Sequence, residues 1–151
     1  MKIHVGADHR GYKTKTRIVK YLLRTGHEVL DHGTGSEAPV DYPDIALAVG
    51  QAVARGKVSF GILLCYTGQG MVIAANKVKG VRAALCVEKV CARFARAHNN
   101  ANVLVMPAGF FEYGPRMRRV IDTFLNTPFE KGRHQRRIDK IRKHEGSASR
   151  V

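Results

Sequence analysis

Short, nearly continuous apolar runs alternate along this chain with longer stretches in which apolar residues return every three or four positions. The runs KIHVGA (2–7), HEVLDHG (27–33), SFGILLC (59–65), VRAALCV (81–87) and ANVLVMP (101–107) predict five strands. In residues 11–25, Tyr12, Ile18, Val19, Leu22 and Leu23 fall at helical spacing, and Gly26 closes the segment. Further helices are predicted over 44–55, ended by Gly56, and over 71–78, 88–98, 115–126 and 132–145. GTGSEAPVDYP (33–43), rich in Gly, Ser and Pro, reads as loop.

SFGILLC lacks the polar alternation of a half-solvated strand, as expected when both faces are covered. Strands that alternate with helices in this way predict an α/β fold. The expected form is a Rossmann-like three-layer sandwich with a five-stranded parallel sheet and an extra C-terminal helix. Ligands of such sheets bind outside the carboxyl ends of the strands. Polar and reactive residues gather at two of those ends, Asp8-His9-Arg10 and Cys65-Tyr66-Thr67-Gly68. No repeat or linker divides the 151 residues, so one domain is expected over 1–145, with GSASRV (146–151) as a frayed tail.

Composition narrows the setting. No apolar run reaches the 18 or so residues needed to cross a membrane. MKIHVGADHRG turns polar too soon to be a secretory leader. Three cysteines, odd in number and without a C-x-x-C, fit a reducing compartment, and the cytoplasm is the expectation. The net charge is +14, and half of it lies in residues 113–151, where 11 Lys/Arg face 4 acids. Such a segment suits nucleic acid, an anionic small molecule or plain solvent.

Cys65 ends a buried run, where an inert core thiol is the ordinary occupant. Its neighbours argue for more. Tyr66-Thr67-Gly68-Gln69-Gly70 is a loop entering a helix, and its backbone N–H groups favour an anion or a thiolate. A thiolate there could take a carbon-bound proton while the loop holds the resulting oxyanion. The Gly-x-Gly by itself is neither a phosphate loop nor a dinucleotide fingerprint. Asp8 reads equally as the N-cap of the first helix or as a carboxylate for substrate hydroxyls, and His9 as a turn residue or a phosphate ligand. His98-Asn99-Asn100 is either a polar turn or the place of an acid/base histidine. Arg133 and Arg137, four apart, share a helix face and suit a phosphate or solvent. Histidines and cysteines are scattered without metal-ligand spacing, so no metal is expected. No G-x-S-x-G is present.

The motifs G-A-D-H-R-G-Y, D-Y-P, C-x-T-G-x-G-M-x-I-A-A-N-K, G-V-R-A-A-L-C, H-N-N-A-N-V-L and G-R-H-Q-R-R-I occur in that order, from Lys2 to about Ile141. Together they resemble ribose-5-phosphate isomerases of the B type, the family shared with the galactose-6-phosphate isomerase subunits. The resemblance implies an aldose–ketose isomerase acting on ribose 5-phosphate through an enediolate, with no metal or organic cofactor. It implies Cys65 as the base, Thr67 as the hydroxyl beside it, and the loop through Gly68, Gln69 and Gly70 as the anion hole. Asp8, His9, Tyr42, Tyr66 and Asn99 match positions at the substrate, His98 the ring-opening acid/base, and Arg133 and Arg137 phosphate ligands. It also implies a homodimer or homotetramer whose pockets draw residues from two subunits.

Two positions depart from the family's pattern. Tyr66 stands where a small residue is usual. An arginine expected shortly after N-V-L, a phosphate ligand, is replaced by Gly109 or Phe110. Restoring an arginine there is expected to tighten pentose-phosphate binding. Two other readings compete: an isomerase of a tetrose or hexose phosphate, and a nucleic-acid-binding protein using the basic last helix. The second is disfavoured, because no nucleic-acid motif is present and the aromatics are not interleaved with the basic run.

Overall fold

The computed structural model describes residues 1–56 and 59–147. Five strands form one all-parallel sheet: β1 Lys2–Ala7, β2 Glu28–Asp31, β3 Ser59–Cys65, β4 Ala83–Leu85 and β5 Val103–Pro107. Their order is β2-β1-β3-β5-β4. The helices are α1 Tyr12–Arg24, α2 Tyr42–Arg55, α3 Gln69–Ala75, α4 Lys89–Asn99, α5 Pro115–Asn126 and α6 Arg133–Ser147. This is the expected α/β sandwich. The chain's direction across the sheet reverses after β2-β1, so the ends of β1, β3 and β5 lie side by side.

The period of two along each buried strand builds two cores. Ile62 and Leu64 of β3, with Leu104 and Met106 of β5, face α1, α4 and α5, where Leu22, Ala92, Ile121 and Phe124 are buried. Leu63 and Cys65, with Val103 and Val105, face α2 and α3, where Ala46, Val49, Met71 and Ala75 close the other layer. Fully burying a side chain of the Leu or Phe kind stabilises by about 1.5–3 kcal/mol. The same alternation points the Cys65 side chain to the α2/α3 side.

Element ends differ from expectation where punctuation residues serve the helix itself. α2 starts at Tyr42, not at position 44, because Asp41 is its extended N-cap and Pro43 sits in the first turn. Proline lacks an N–H that the first turn leaves unbonded anyway. α3 starts at Gln69 and ends at Ala75, earlier than the 71–78 expected, because Gly68 caps it with φ +80°. Asp8 does not cap α1, whose N-cap is Gly11. Its carboxylate instead accepts from the backbone N–H groups of Arg10 (2.9 Å) and Gly11 (3.0 Å), holding the turn before the helix. α6 includes Gly146 and Ser147, and the rest of the expected tail lies outside the described residues.

Candidate active site

The carboxyl ends of β1 and β3 are tied together. Asp8 N–H donates to the Leu64 carbonyl at 3.2 Å, so the Asp8-His9-Arg10 turn stands beside the Cys65 loop. Asp8 and Cys65 are buried, at 7% and 6% exposure. Thr67 and Tyr66 reach solvent. This edge therefore has a buried thiol and carboxylate beside two exposed loop residues.

Cys65 Sγ accepts the backbone N–H of Gly68 over 3.1 Å. The loop curls back on the sulfur because Gly68 adopts a left-handed conformation that a Cβ resists. A Cβ there would also overlap Leu85 Cδ1. Gln69 N–H donates to Thr67 Oγ1 at 3.3 Å, fixing that hydroxyl at the head of α3. The chain's other buried thiol, Cys86, receives no such N–H. Burial pushes it up to about 12, which leaves it a packing residue.

Two aromatic rings line this edge. Tyr42, at the start of α2, lies over Gly70: a Cβ on Gly70 would come within 2.7 Å of Tyr42 Cε2 and Cζ. Tyr66 lies over Gly109, just past β5, where a Cβ would overlap ring carbons Cδ2 and Cε2. Gly109 N–H donates to the Tyr66 carbonyl at 2.9 Å, so backbone and ring both lock these two positions together. Thus Tyr66 and Gly109, both singled out in the sequence, pack directly on one another. The Tyr66 ring also carries the Arg10 guanidinium, 4.8 Å from the ring centroid. His9 Nδ1 accepts the Val40 N–H at 3.4 Å, joining the β1 turn to the loop before α2.

The remaining sequence candidates lie elsewhere. α4 returns antiparallel to the strands, so its last residues, His98 and Asn99, stand where β5 begins. Asn102 accepts the Gly61 N–H near the start of β3, and Glu130 N–H donates to the Ala97 carbonyl. β3 alone runs about 20 Å from Ser59 to Cys65 at ~3.3 Å per residue. Hence Asp8, His9, Tyr42, Cys65, Tyr66, Thr67, Gly68, Gln69 and Gly70 share one edge of the sheet, and His98, Asn99, Arg133 and Arg137 the opposite one. A single copy does not bring the two groups together.

At that second edge His98 lies flat on His134, ring centroids 4.1 Å apart and planes 7° apart, with Phe94 tilted on its other side. Glu130 Oε2 is 3.5 Å from His98 Nε2 and 3.8 Å from His134 Nε2. His134 is held below the ordinary histidine value, first by burial and then by the positive charge of His98. The three donor atoms lie within 4.8 Å of one another. Parallel stacked rings do not converge on one point as metal ligands do, and the arrangement is that of two imidazoles sharing one carboxylate. Arg133 precedes His134, and Arg137 follows one turn later, both exposed.

Sequence reasoning placed Arg10 at a polar strand end without giving it a role, and passed over Glu130 and His134. Glu130 and His134 had a weak signal in their spacing of four across the start of a helix. Arg10 had none beyond its place beside His9.

Residues 3–141 match the ribose/galactose isomerase family model. The chain is 42% identical over 146 residues to ribose-5-phosphate isomerase B of Escherichia coli, covering 93% of each chain. Two solved structures are similar throughout. Ribose-5-phosphate isomerase B of Clostridium thermocellum superposes with a TM-score of 0.94 at 42% identity, covering 98% of this chain and 99% of that one. The Mycoplasma genitalium enzyme, solved with bound ribulose 5-phosphate, gives 0.91 at 43% identity, with 96% of each chain covered.

Proposed function

The chain belongs to the ribose/galactose isomerase family, and from that premise we propose that it interconverts ribose 5-phosphate and ribulose 5-phosphate through an enediolate, with Cys65 as the base. The observation that carries the reading is the Gly68 N–H aimed at Cys65 Sγ over 3.1 Å, at the carboxyl edge of the sheet. That contact fixes the sulfur beside the first turn of α3, whose free backbone N–H groups can receive an oxyanion.

The chemistry requires one base that serves two adjacent carbons. The Cys65 thiolate takes the proton from C2 of the open-chain aldose and returns it to C1. Between those events the negative charge rests on the enediolate oxygens. Backbone N–H groups of the α3 first turn, which lack intrahelical acceptors, are donors for that charge. Thr67 relays a hydroxyl proton, and Asp8, His9 and Tyr42 orient the sugar. Steps of this acid–base kind contribute ~10²–10⁴-fold each.

His98 opens the furanose ring, with Asn99 beside it, and Arg133 and Arg137 bind the phosphate. Their position at the far edge supports an assembly in which a second copy presents its His98 edge to the Cys65 edge of the first. The pocket is then shared, and a homodimer is the smallest unit that closes it. The free thiols of Cys65, Cys86 and Cys91 suit the cytoplasm as its place.

A substrate panel of tetrose, pentose and hexose phosphates, run on the wild type and on Cys65→Ala, tests this. Pentose phosphate turnover that disappears in Cys65→Ala supports the reading. Undiminished turnover in that variant removes Cys65 as base. A preference for another chain length, in a pocket walled by Tyr66, would keep the chemistry and change the sugar.

A further inference from the structure

We propose that Arg10 is the cation that takes the substrate phosphate at the Cys65 edge, standing in across the Tyr66 ring for the arginine absent at position 109. The inference rests on the isomerase reading and names a residue that reading leaves unassigned.

Three observations converge on Arg10. Its guanidinium stands 4.8 Å from the Tyr66 ring centroid, and the same ring covers Gly109. Its backbone N–H is held by Asp8 at 2.9 Å, so the residue leaves the β1 turn at a fixed point, next to His9. Among the described residues no carboxylate pairs with its side chain, whereas Glu37 pairs with Lys13 and Asp31 with Lys15. A guanidinium held by the face of a ring uses its charge there and keeps its N–H fork available. That fork matches the oxygens of a phosphate two at a time.

The stack also explains why the charge has changed position. Sheet order puts the ends of β1, β3 and β5 side by side, so a ring leaving β3 can lie on the β5 end and receive a side chain from the β1 end. Any side chain at 109 would overlap that ring. Of the two positions at which a restored arginine is expected to tighten binding, Gly109 and Phe110, this proposal makes the single substitution at Gly109 ineffective. Gly109→Arg alone has to displace Tyr66, and with it the support of Arg10. Only in a chain that also carries Tyr66→Gly does an arginine at 109 have room.

The test measures inorganic phosphate affinity by calorimetry, and KM and kcat for ribose 5-phosphate. It compares the wild type, Arg10→Gln, Arg10→Lys, and the triple variant Arg10→Gln/Tyr66→Gly/Gly109→Arg. Arg10→Gln is expected to weaken phosphate and raise KM by roughly ten- to a hundredfold, with a smaller change in kcat. Arg10→Lys should recover part of the loss, and the triple variant most of it. An Arg10→Gln protein that binds phosphate as the wild type does overturns the assignment. A triple variant no better than Arg10→Gln overturns the exchange with position 109. The phosphate titration reads Arg10 even if the wild type turns over no pentose phosphate, a result that would count against the isomerase reading alone.

Discussion

The backbone amide of Gly68 donates to the sulfur of Cys65 across 3.1 Å, and that geometry depends on a left-handed residue at position 68. Gly68→Ala should therefore damage two things at once. Forcing a Cβ into that conformation costs on the order of 1–3 kcal/mol, and the contact with Leu85 adds to it. A lower melting temperature with sharply reduced turnover is the expected pair of results. Cys65→Ala should instead leave melting nearly unchanged while abolishing exchange of the substrate C–H with solvent deuterium, followed by NMR.

Because the Cys65 loop and His98 occupy opposite edges of one sheet, two inactive variants should repair each other. Mixing Cys65→Ala with His98→Asn under conditions that let subunits exchange creates hybrids in which one pocket carries both native residues. Random pairing into dimers would restore roughly a quarter of the pockets. Activity that stays at the level of the separate variants would argue against shared pockets. His98→Asn by itself should slow pentose phosphates more than tetrose phosphates, which form no such furanose ring.

Arg133 and Arg137 flank His134 at the head of α6, where both are exposed. A charged hydrogen bond is worth about 1.5–3 kcal/mol, so Arg137→Ala should raise KM by roughly ten- to over a hundredfold. Turnover at saturation should change less, since phosphate is remote from the carbons that exchange protons. Initial-rate kinetics over a wide substrate range separates the two effects.

Acid should destabilise the fold through its histidines. His4 Nδ1 and His32 Nε2 are 2.8 Å apart, one donating and the other accepting. Burial holds both below the ordinary value, and for His4 the charge of His32 adds to it. The unfolded chain takes up these protons near pH 6.5. The stability linked to them is thus present above about pH 6.5 and lost as pH falls below it through the folded values. Thermal melts should show a lower transition at pH 5 than at pH 7.5, by about 2–4 °C for each kcal/mol lost. Replacing both with leucine should flatten that dependence.

Much of this architecture was legible because burial on both sides leaves a strand no polar alternation. SFGILLC read as a strand covered on both faces, and β3 is the middle strand of the sheet. Ends were harder. Pro43 reads as a loop residue along the chain, yet it serves the first turn of α2. Within the candidate site, linear order exposed Cys65, Thr67 and the Asp8-His9 pair, since each sits directly at a strand end. It hid what depends on which strands are neighbours. The contact of Tyr66 with Gly109 exists only because β5 lies beside β3, and the stack of His98 on His134 only because α6 returns to the foot of α4.

The ring of Tyr66 resting on the bare backbone of Gly109 has a consequence for ancestry. It could take its present place only in a chain whose position 109 had already lost its side chain, or lost it in the same step. The reverse history, tyrosine first with arginine still behind it, has no room for the ring. A descent from the arginine-bearing pattern therefore carries a direction. Loss of the side chain at 109 comes before the ring takes this place or together with it, never after.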